Sequence, residues 1–411
     1  MKTMENYETS NNCAGPNDRR AANGPLRFAA GLLLTVALAA SVAAAPVGPF
    51  CSVGKRNVDT MNVNLYIGGG IDRVIALDPT DPAYFANLVS AVTGVFYEIV
   101  SSQPDTRLGG VADRIAARMP DLVAVQEASL IRNQSPGDLA VGGSTPATNV
   151  VYDYLAILVE ALKARGAHYT VVSSTEEVDV EMPMYNLQTG KLDDARLTDR
   201  DAILVRTDLP PGQLRVSNPQ GGHFTYMIEL PTVKVPRGWC SVDVFLRGEK
   251  FRYICAHLEQ ENVPQLQMLQ AIELIDGPAN VRMPVILSGD FNADPLHRNG
   301  VETYDAFVAA GFDDAWAELH KANPSGGLTW GHDEFLADPS VPMIWRLDVV
   351  WFRGCGLVPT ESKVLDLALD RAQSPLWASD HAAVTANFRV QDLREPRPAP
   401  YWPKFRAHFG R

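Results

Sequence analysis

Basic residues are in short supply. Lysine and arginine number 36 against 48 aspartates and glutamates, for a formal net charge of −12. That deficit argues against a polyanion binder held by a broad basic patch, although cations gathered in a cleft can override it locally. No stripe interleaves aromatic with basic residues, so the pattern of a processive single-strand binder is missing. Cysteine is scarce as well, with five in 411 residues, and the chain is long enough to bury a sizeable core without disulfide staples. Internal repeats and long low-complexity tracts are absent. With 46% hydrophobic and 20% charged residues, the composition excludes a disordered, collagenous or coiled-coil chain. Beyond the first 50 residues, no run reads as apolar enough to span a bilayer.

What is present begins with an export signal. Arg19, Arg20 and Arg27 precede the apolar run FAAGLLLTVALAASV and the small residues Ala43–Ala45. A positive segment, an apolar stretch and a small-residue cleavage site form the pattern of a secretory signal peptide, here residues 1–43. The run is shorter than the ~20 residues of a spanning helix. Cleavage removes four cations (Lys2, Arg19, Arg20, Arg27) and three anions (Glu5, Glu8, Asp18), leaving a mature charge of −13. The implied location is secreted or periplasmic. Four cysteines remain: Cys51, Cys240, Cys255 and Cys355. The segments WCSVDVFL and KFRYICAHL flank Arg247-Gly248 and read as a hairpin with Cys240 opposite Cys255. A cross-strand disulfide and two buried free thiols are both open at that position.

From residue 58 to 390 β-like and helical patterns alternate without a linker, so residues 52–390 read as one catalytic unit and 391–411 as a Pro-rich, basic tail. Strands are expected at 58–67, 122–125, 169–173, 202–206, 285–287, 346–352 and 382–388. Helices are expected at 107–118, 151–164, 265–275 and 302–310, and along the stripe Tyr84, Phe85, Leu88, Val89, Val92, Phe96 and Ile99. This order suggests α/β architecture with two sheets and helices outside them, not a βαβ repeat.

Several short strands end in polar residues. Leu122–Val125 runs into Gln126-Glu127, Val285–Leu287 into Ser288-Gly289-Asp290-Phe291-Asn292, and Tyr253–Ala256 into His257, while Ser379-Asp380-His381 precedes the last strand. Singly, each reads as a turn, a solvated strand end or a satisfied core histidine. Together they supply hard oxygen ligands for Mg²⁺ or Mn²⁺ and two groups for proton transfer near neutral pH. Asp348, inside the apolar strand Arg346-Leu347-Asp348-Val349-Val350, needs a partner, and a histidine would serve. The remaining histidines form no metal spacing; Trp330-Gly331-His332 falls in a loop that could line the cleft, although a surface loop is the better reading.

These motifs, in this order, resemble the endonuclease/exonuclease/phosphatase superfamily, the DNase I-like fold. Met61-Asn62-Val63-Asn64-Leu65-Tyr66-Ile67-Gly68 looks like its opening asparagine strand, and Pro120 to Glu127 like its metal-glutamate motif. Arg200-Asp201-Ala202-Ile203-Leu204, Ala256-His257-Leu258, Gly289-Asp290-Phe291-Asn292, Arg346-Leu347-Asp348 and Ser379-Asp380-His381 complete the series. The resemblance implies a four-layer α/β/β/α sandwich of two mixed β-sheets flanked by helices. It further implies that Glu127, with Asn64 and Asp380, holds Mg²⁺ (or Mn²⁺). His381, oriented by Asp348, would be general base toward water, and Asp290 and Asn292 would position water and phosphate. His257 would stabilise the phosphate or protonate the leaving oxygen, and Arg200 would add a phosphate contact. Where relatives often place an acid after the Asn-Leu-Tyr-Leu-Gly pattern, this chain has Gly69-Gly70, with Asp72 later. Inserts at 71–103 and 129–151 have no readable role.

Three readings follow: an exported metal-dependent phosphoesterase, a secreted nuclease, and a catalytically silent binding protein on this fold. The implied partner is a phosphoester substrate, whether a lipid headgroup or a nucleic acid, and the chain is expected to act as a monomer. His381, Asp290 and Glu127 are all present, which counts against the silent reading.

Overall fold

Apolar strands ending in polar residues need two faces to bury and one open end, and the architecture provides both. The computed structural model describes residues 57–229 and 234–390. The expected signal segment 1–43, Cys51 and the tail 391–411 lie outside the described residues. The chain runs through β1 (Asn57–Asn64), α1 (Asp72–Ile75), α2 (Tyr84–Ser101), α3 (Pro104–Arg118), β2 (Leu122–Gln126), β3 (Leu130–Gln134) and β4 (Asn149–Asp153). It continues through α4 (Tyr154–Ala164), the long hairpin β5 (Tyr169–Asn186) and β6 (Lys191–Arg206), then β7 (Leu214–His223). A short pair, β8 (Ile228–Glu229) and β9 (Lys234–Val235), precedes the hairpin β10 (Gly238–Leu246) and β11 (Glu249–His257). The last third holds α5 (Pro264–Asp276), β12 (Val285–Asp290), α6 (Thr303–Ala309), β13 (Asp313–Asp314), α7 (Ala315–Leu319), β14 (Asp348–Arg353), β15 (Leu357–Leu365) and β16 (Ala383–Val390).

One sheet has the order β15-β16-β1-β2-β6-β3-β4, with β5 also on β6; the other runs β13-β14-β12-β11-β10-β7. Both are mixed, with β1–β2 and β11–β12 parallel and their neighbours antiparallel. Val58, Leu122 and Ile203 of the first sheet share a core with Val242, Tyr253, Ile286 and Val350 of the second, so the sheets pack face to face. The outer face of the first sheet buries Leu108, Val111 and Ile115 of α3 and Leu155, Leu158 and Leu162 of α4. That of the second buries Ala271 and Leu274 of α5 and Phe307 of α6. The result is the α/β/β/α layering. Each buried valine, leucine, isoleucine or phenylalanine among them contributes about 1.5–3 kcal/mol, so these cores dominate stability.

Several expectations change. Residues 149–153 form β4 and not the first turn of a helix; Asp153 caps α4 by accepting from the Ala156 N–H. The strands expected at 169–173 and 202–206 are the ends of β5 and β6, whose charged middle hid a hairpin of 18- and 16-residue strands. The reading that no second segment is apolar enough to span a bilayer is also corrected. By length and composition α2 passes that test, with mean hydropathy 1.2, yet it buries Val89, Val92, Val95, Phe96 and Ile99. The register places Cys240 opposite Cys255, as read, with Leu246 opposite Glu249, and both cysteines are free, buried thiols.

Candidate active site

Strand pairing brings the polar strand ends together. His257 at the end of β11 lies beside Asp290 at the end of β12, and Asp290 lies opposite Asp348 at the start of β14. In the facing sheet, Asn64 ends β1 beside Gln126 of β2, with Glu127 next. Gly289 makes the first pairing possible: a Cβ there would lie 2.0 Å from the Ala256 carbonyl oxygen. Tyr66, Glu127 and Asn292 adopt left-handed backbone, at φ 58°, 53° and 48°. For non-glycine residues such conformations cost about 1–3 kcal/mol each and gather at functional sites.

A continuous hydrogen-bond network links these residues. Asp348 Oδ2 lies 2.7 Å from His381 Nδ1, and its Oδ1 accepts from Asn62 Nδ2 at 3.0 Å. Asn62 Oδ1 accepts from Gln126 Nε2. Asn64 Nδ2 donates to Glu127 Oε1 at 3.0 Å and to Asp290 Oδ2 at 3.1 Å, and Glu127 Oε2 accepts from the Ile67 N–H. Asp290 Oδ2 stands 3.6 Å from Nε2 of both His257 and His381. That separation is too long for direct hydrogen bonds and leaves Asp290 Oδ2 near both ring nitrogens. Asp380 Oδ2 accepts from Trp330 Nε1 at 3.2 Å. Trp330 stacks on Trp345 and bridges to His381, so of the two readings of this loop, cleft lining and plain surface, the first holds at Trp330.

The electrostatics assign states. Burial opposes charge on His381, but Asp348, Asp380 and Asp290 outweigh it and raise its pKa well above the imidazole range. His257 goes the other way: burial, then Arg237 and His381, hold it well below, so it is neutral. Arg237 Nη1 lies 3.1 Å from His257 Nδ1. A guanidinium only donates, so Nδ1 must accept and the ring proton sits on Nε2, facing Asp290. The 3.4 Å approach of Asn292 Nδ2 to Nε2 is then not a hydrogen bond; Asn292 Nδ2 donates to the Leu258 carbonyl. Burial and the nearby Glu127 raise Asp380 to about 6 against the pull of His381. Glu127 lies near enough to raise the Asp380 pKa, and two such carboxylates are hard-oxygen donors that fit a divalent ion; the Asn64 amide turns its nitrogen to Glu127 and its oxygen to the Tyr66 N–H.

Thus Asn64, Glu127, His257, Asp290, Asn292, Asp348, Asp380 and His381 converge. Arg200 does not join them: it donates to the Ala128 and Ser129 carbonyls and to Asp153. Side chains alternate along β6, so Arg200 faces away while Asp199 and Asp201 face the site. Among the described residues, Arg237 is the guanidinium in contact with the site. It was missed because it precedes β10 in a segment with no periodic pattern. Glu177, which Arg237 also contacts, sits at a bulge between Glu176 and Asp179 that the sequence does not announce.

The sequence matches the Endonuclease/Exonuclease/phosphatase family over residues 100–381. A solved endonuclease/exonuclease/phosphatase family protein from Bacteroides thetaiotaomicron superposes with a TM-score of 0.51 at 17% identity, covering 82% of this chain and 98% of its own. A mannosyl-6-phosphatase from the same organism is similar at TM-score 0.48 and 18% identity, over 80% of this chain and 99% of its own. At these identities the likeness is one of fold. A curated relative, a protein-glutamate methylesterase/protein-glutamine glutaminase from Thiobacillus denitrificans, is 30% identical over 129 residues. The match covers 31% of this chain, which spans only 33% of that relative's length.

Proposed function

The chain belongs to the endonuclease/exonuclease/phosphatase family of phosphoester hydrolases, and we propose that it is an exported, divalent-metal-dependent phosphoesterase that cleaves its substrate by attack of water. The observation that carries this reading is the convergence of the Asp348–His381 pair and His257 on Asp290, whose Oδ2 lies 3.6 Å from both Nε2 atoms, with Glu127 bound to the same Asn64 amide. Glu127, Asn64 and Asp380 would hold the ion, Mg²⁺ or Mn²⁺; when bound, it supplies neutralisation of charge on the phosphoryl oxygens.

The chain's own residues supply the rest. Asp348 holds the Nδ1 proton of His381, and in the deprotonated form of the ring, which the neighbouring acids disfavour until their charge is offset, Nε2 takes a proton from the attacking water. Asp290, fixed by the Asn292 N–H and by Asn64, orients that water. His257 donates its Nε2 proton as a hydrogen bond to a phosphoryl oxygen; its depressed pKa suits a neutral donor better than a reservoir acid. These groups position reactants and stabilise developing charge, which is most of what phosphoryl transfer requires. Export is supported by the signal pattern and by Cys355, which is disulfide-bonded, a state favoured outside the cytoplasm. Residues 52–390 would form the exported catalytic unit and 391–411 its tail.

The test is a hydrolysis panel of plasmid DNA, RNA, sphingomyelin, phosphatidylinositol and a generic phosphodiester, with Mg²⁺ or EDTA, for the wild type and His381→Ala. Loss of activity with EDTA and in the variant supports the reading; activity that survives both overturns it. Cleavage of the nucleic acids alone would make the enzyme a nuclease.

A further inference from the structure

Behind His257 lies a second group of acids that the hydrolytic mechanism does not use. Glu177 of β5, Asp199 and Asp201 of β6, and Glu259 just past β11 are all buried, between 0% and 4% exposed. Their charged partner among the described residues is Arg237, which reaches Glu177 at 3.2 Å, Asp199 at 3.5 Å and Glu259 at 3.6 Å. One guanidinium cannot balance four buried carboxylates, and isolated buried charge is costly. Asp201 is the sharpest case. It is 0% exposed, and neither carboxylate oxygen has a hydrogen-bond partner; Glu259 Oε2 is unpartnered as well. Native proteins seldom leave such atoms bare, so they mark the place of an absent ligand.

The geometry identifies its kind. Glu177, Asp201 and His257 each offer a ligand atom, all within 4.8 Å of one another. Tetrahedral ligands about 2.0–2.2 Å from a common ion lie about 3.3–3.6 Å from one another, so binding draws these atoms together by up to about 1.5 Å. The Nδ1 of His257 carries its lone pair, which now accepts from Arg237 at 3.1 Å, so an ion there takes the place of that guanidinium contact. We propose that Glu177, Asp201 and His257 form a second divalent-cation site, separate from the Glu127 site, for an ion of the Zn²⁺ or Mn²⁺ class. One imidazole with two carboxylates suits such ions better than Ca²⁺, which prefers all-oxygen cages. An ion on Nδ1 leaves the ring proton on Nε2, as Arg237 does, so occupancy keeps His257 in its donor tautomer. The site goes beyond the phosphoesterase reading and stands without it.

The experiment measures metal content, not activity. The full chain is stripped with EDTA, reloaded with Zn²⁺ or Mn²⁺, desalted and analysed by elemental mass spectrometry, for the wild type, Asp201→Asn and Glu127→Gln. The wild type should retain about one equivalent more than folded Asp201→Asn, and Glu127→Gln should keep that equivalent. Equal metal content in wild type and folded Asp201→Asn overturns the proposal. Circular dichroism checks folding; if Asp201→Asn does not fold, anomalous diffraction from wild-type crystals soaked in Zn²⁺ decides. A peak among Glu177, Asp201 and His257 supports the site, and its absence there at full soak overturns it.

Discussion

Asp348 and Arg237 act on the two histidines in opposite senses. Asp348 accepts the His381 Nδ1 proton and leaves Nε2 as the basic end; Arg237 donates to His257 Nδ1 and leaves Nε2 as the donor end. Asp348→Asn replaces the acceptor by a side chain that can donate, so His381 loses its orienting partner; kcat should fall by roughly 10²–10⁴ with KM little changed. Steady-state kinetics checks this, and an unchanged kcat would remove Asp348 from the mechanism. Arg237→Gln frees the His257 tautomer and lifts one of the causes that depress its pKa. Its kcat should drop about 10- to 100-fold, and the His257 titration should move up towards neutrality. Arg237→Lys, which restores the charge, should hold the pKa down while recovering activity only in part. A nuclear magnetic resonance titration of the histidines separates this from general unfolding.

At the scale of elements, the site depends on the closeness of β11 and β12. Gly289 lies so near Ala256 that Gly289→Ala must push the strands apart, breaking the His257↔Asp290 register. Overpacking of this kind costs about 1–3 kcal/mol or more, visible as a lower urea midpoint; a variant as stable and active as the wild type would refute the close-packing argument. The Gly-Asp-Phe-Asn motif thus carries structure and chemistry in adjacent residues, which is why it was legible. Asn64, Glu127, His257 and His381 were legible for a similar reason: each ends or precedes an apolar run. Less accessible features depend on contacts distant in sequence. Arg237 reaches Glu177 60 residues away, and Asn62 reaches Asp348 286 residues away. The β5–β6 hairpin was obscured because its middle pairs charged residues, Glu181↔Arg196 among them, where apolar periodicity gives no signal.

For the whole molecule, a net charge of −12 is partly concentrated where the sheets end. Burial and neighbouring acids raise Glu177 to about 8, Asp199 to about 7 and Asp380 to about 6. A folded-state pKa above the unfolded value stabilises at low pH and loses that contribution as pH rises through it. The metal-free protein should therefore melt at progressively lower temperature from about pH 5 to pH 8. His257, whose pKa is lowered, opposes this only up to its unfolded value, and His381, which is raised, adds to it. Excess Mn²⁺ should flatten the slope, since a bound cation replaces the protons. A melting temperature that rises across this range without metal would contradict these assignments.

The central claim is that Glu127 anchors the ion serving the Asp348–His381 pair. Its most direct test is the Mg²⁺ dependence of phosphodiester hydrolysis by the wild type and Glu127→Gln. The variant should need at least about tenfold more Mg²⁺ for half-maximal rate and reach a lower plateau. Superimposable Mg²⁺ curves for the two proteins would contradict it.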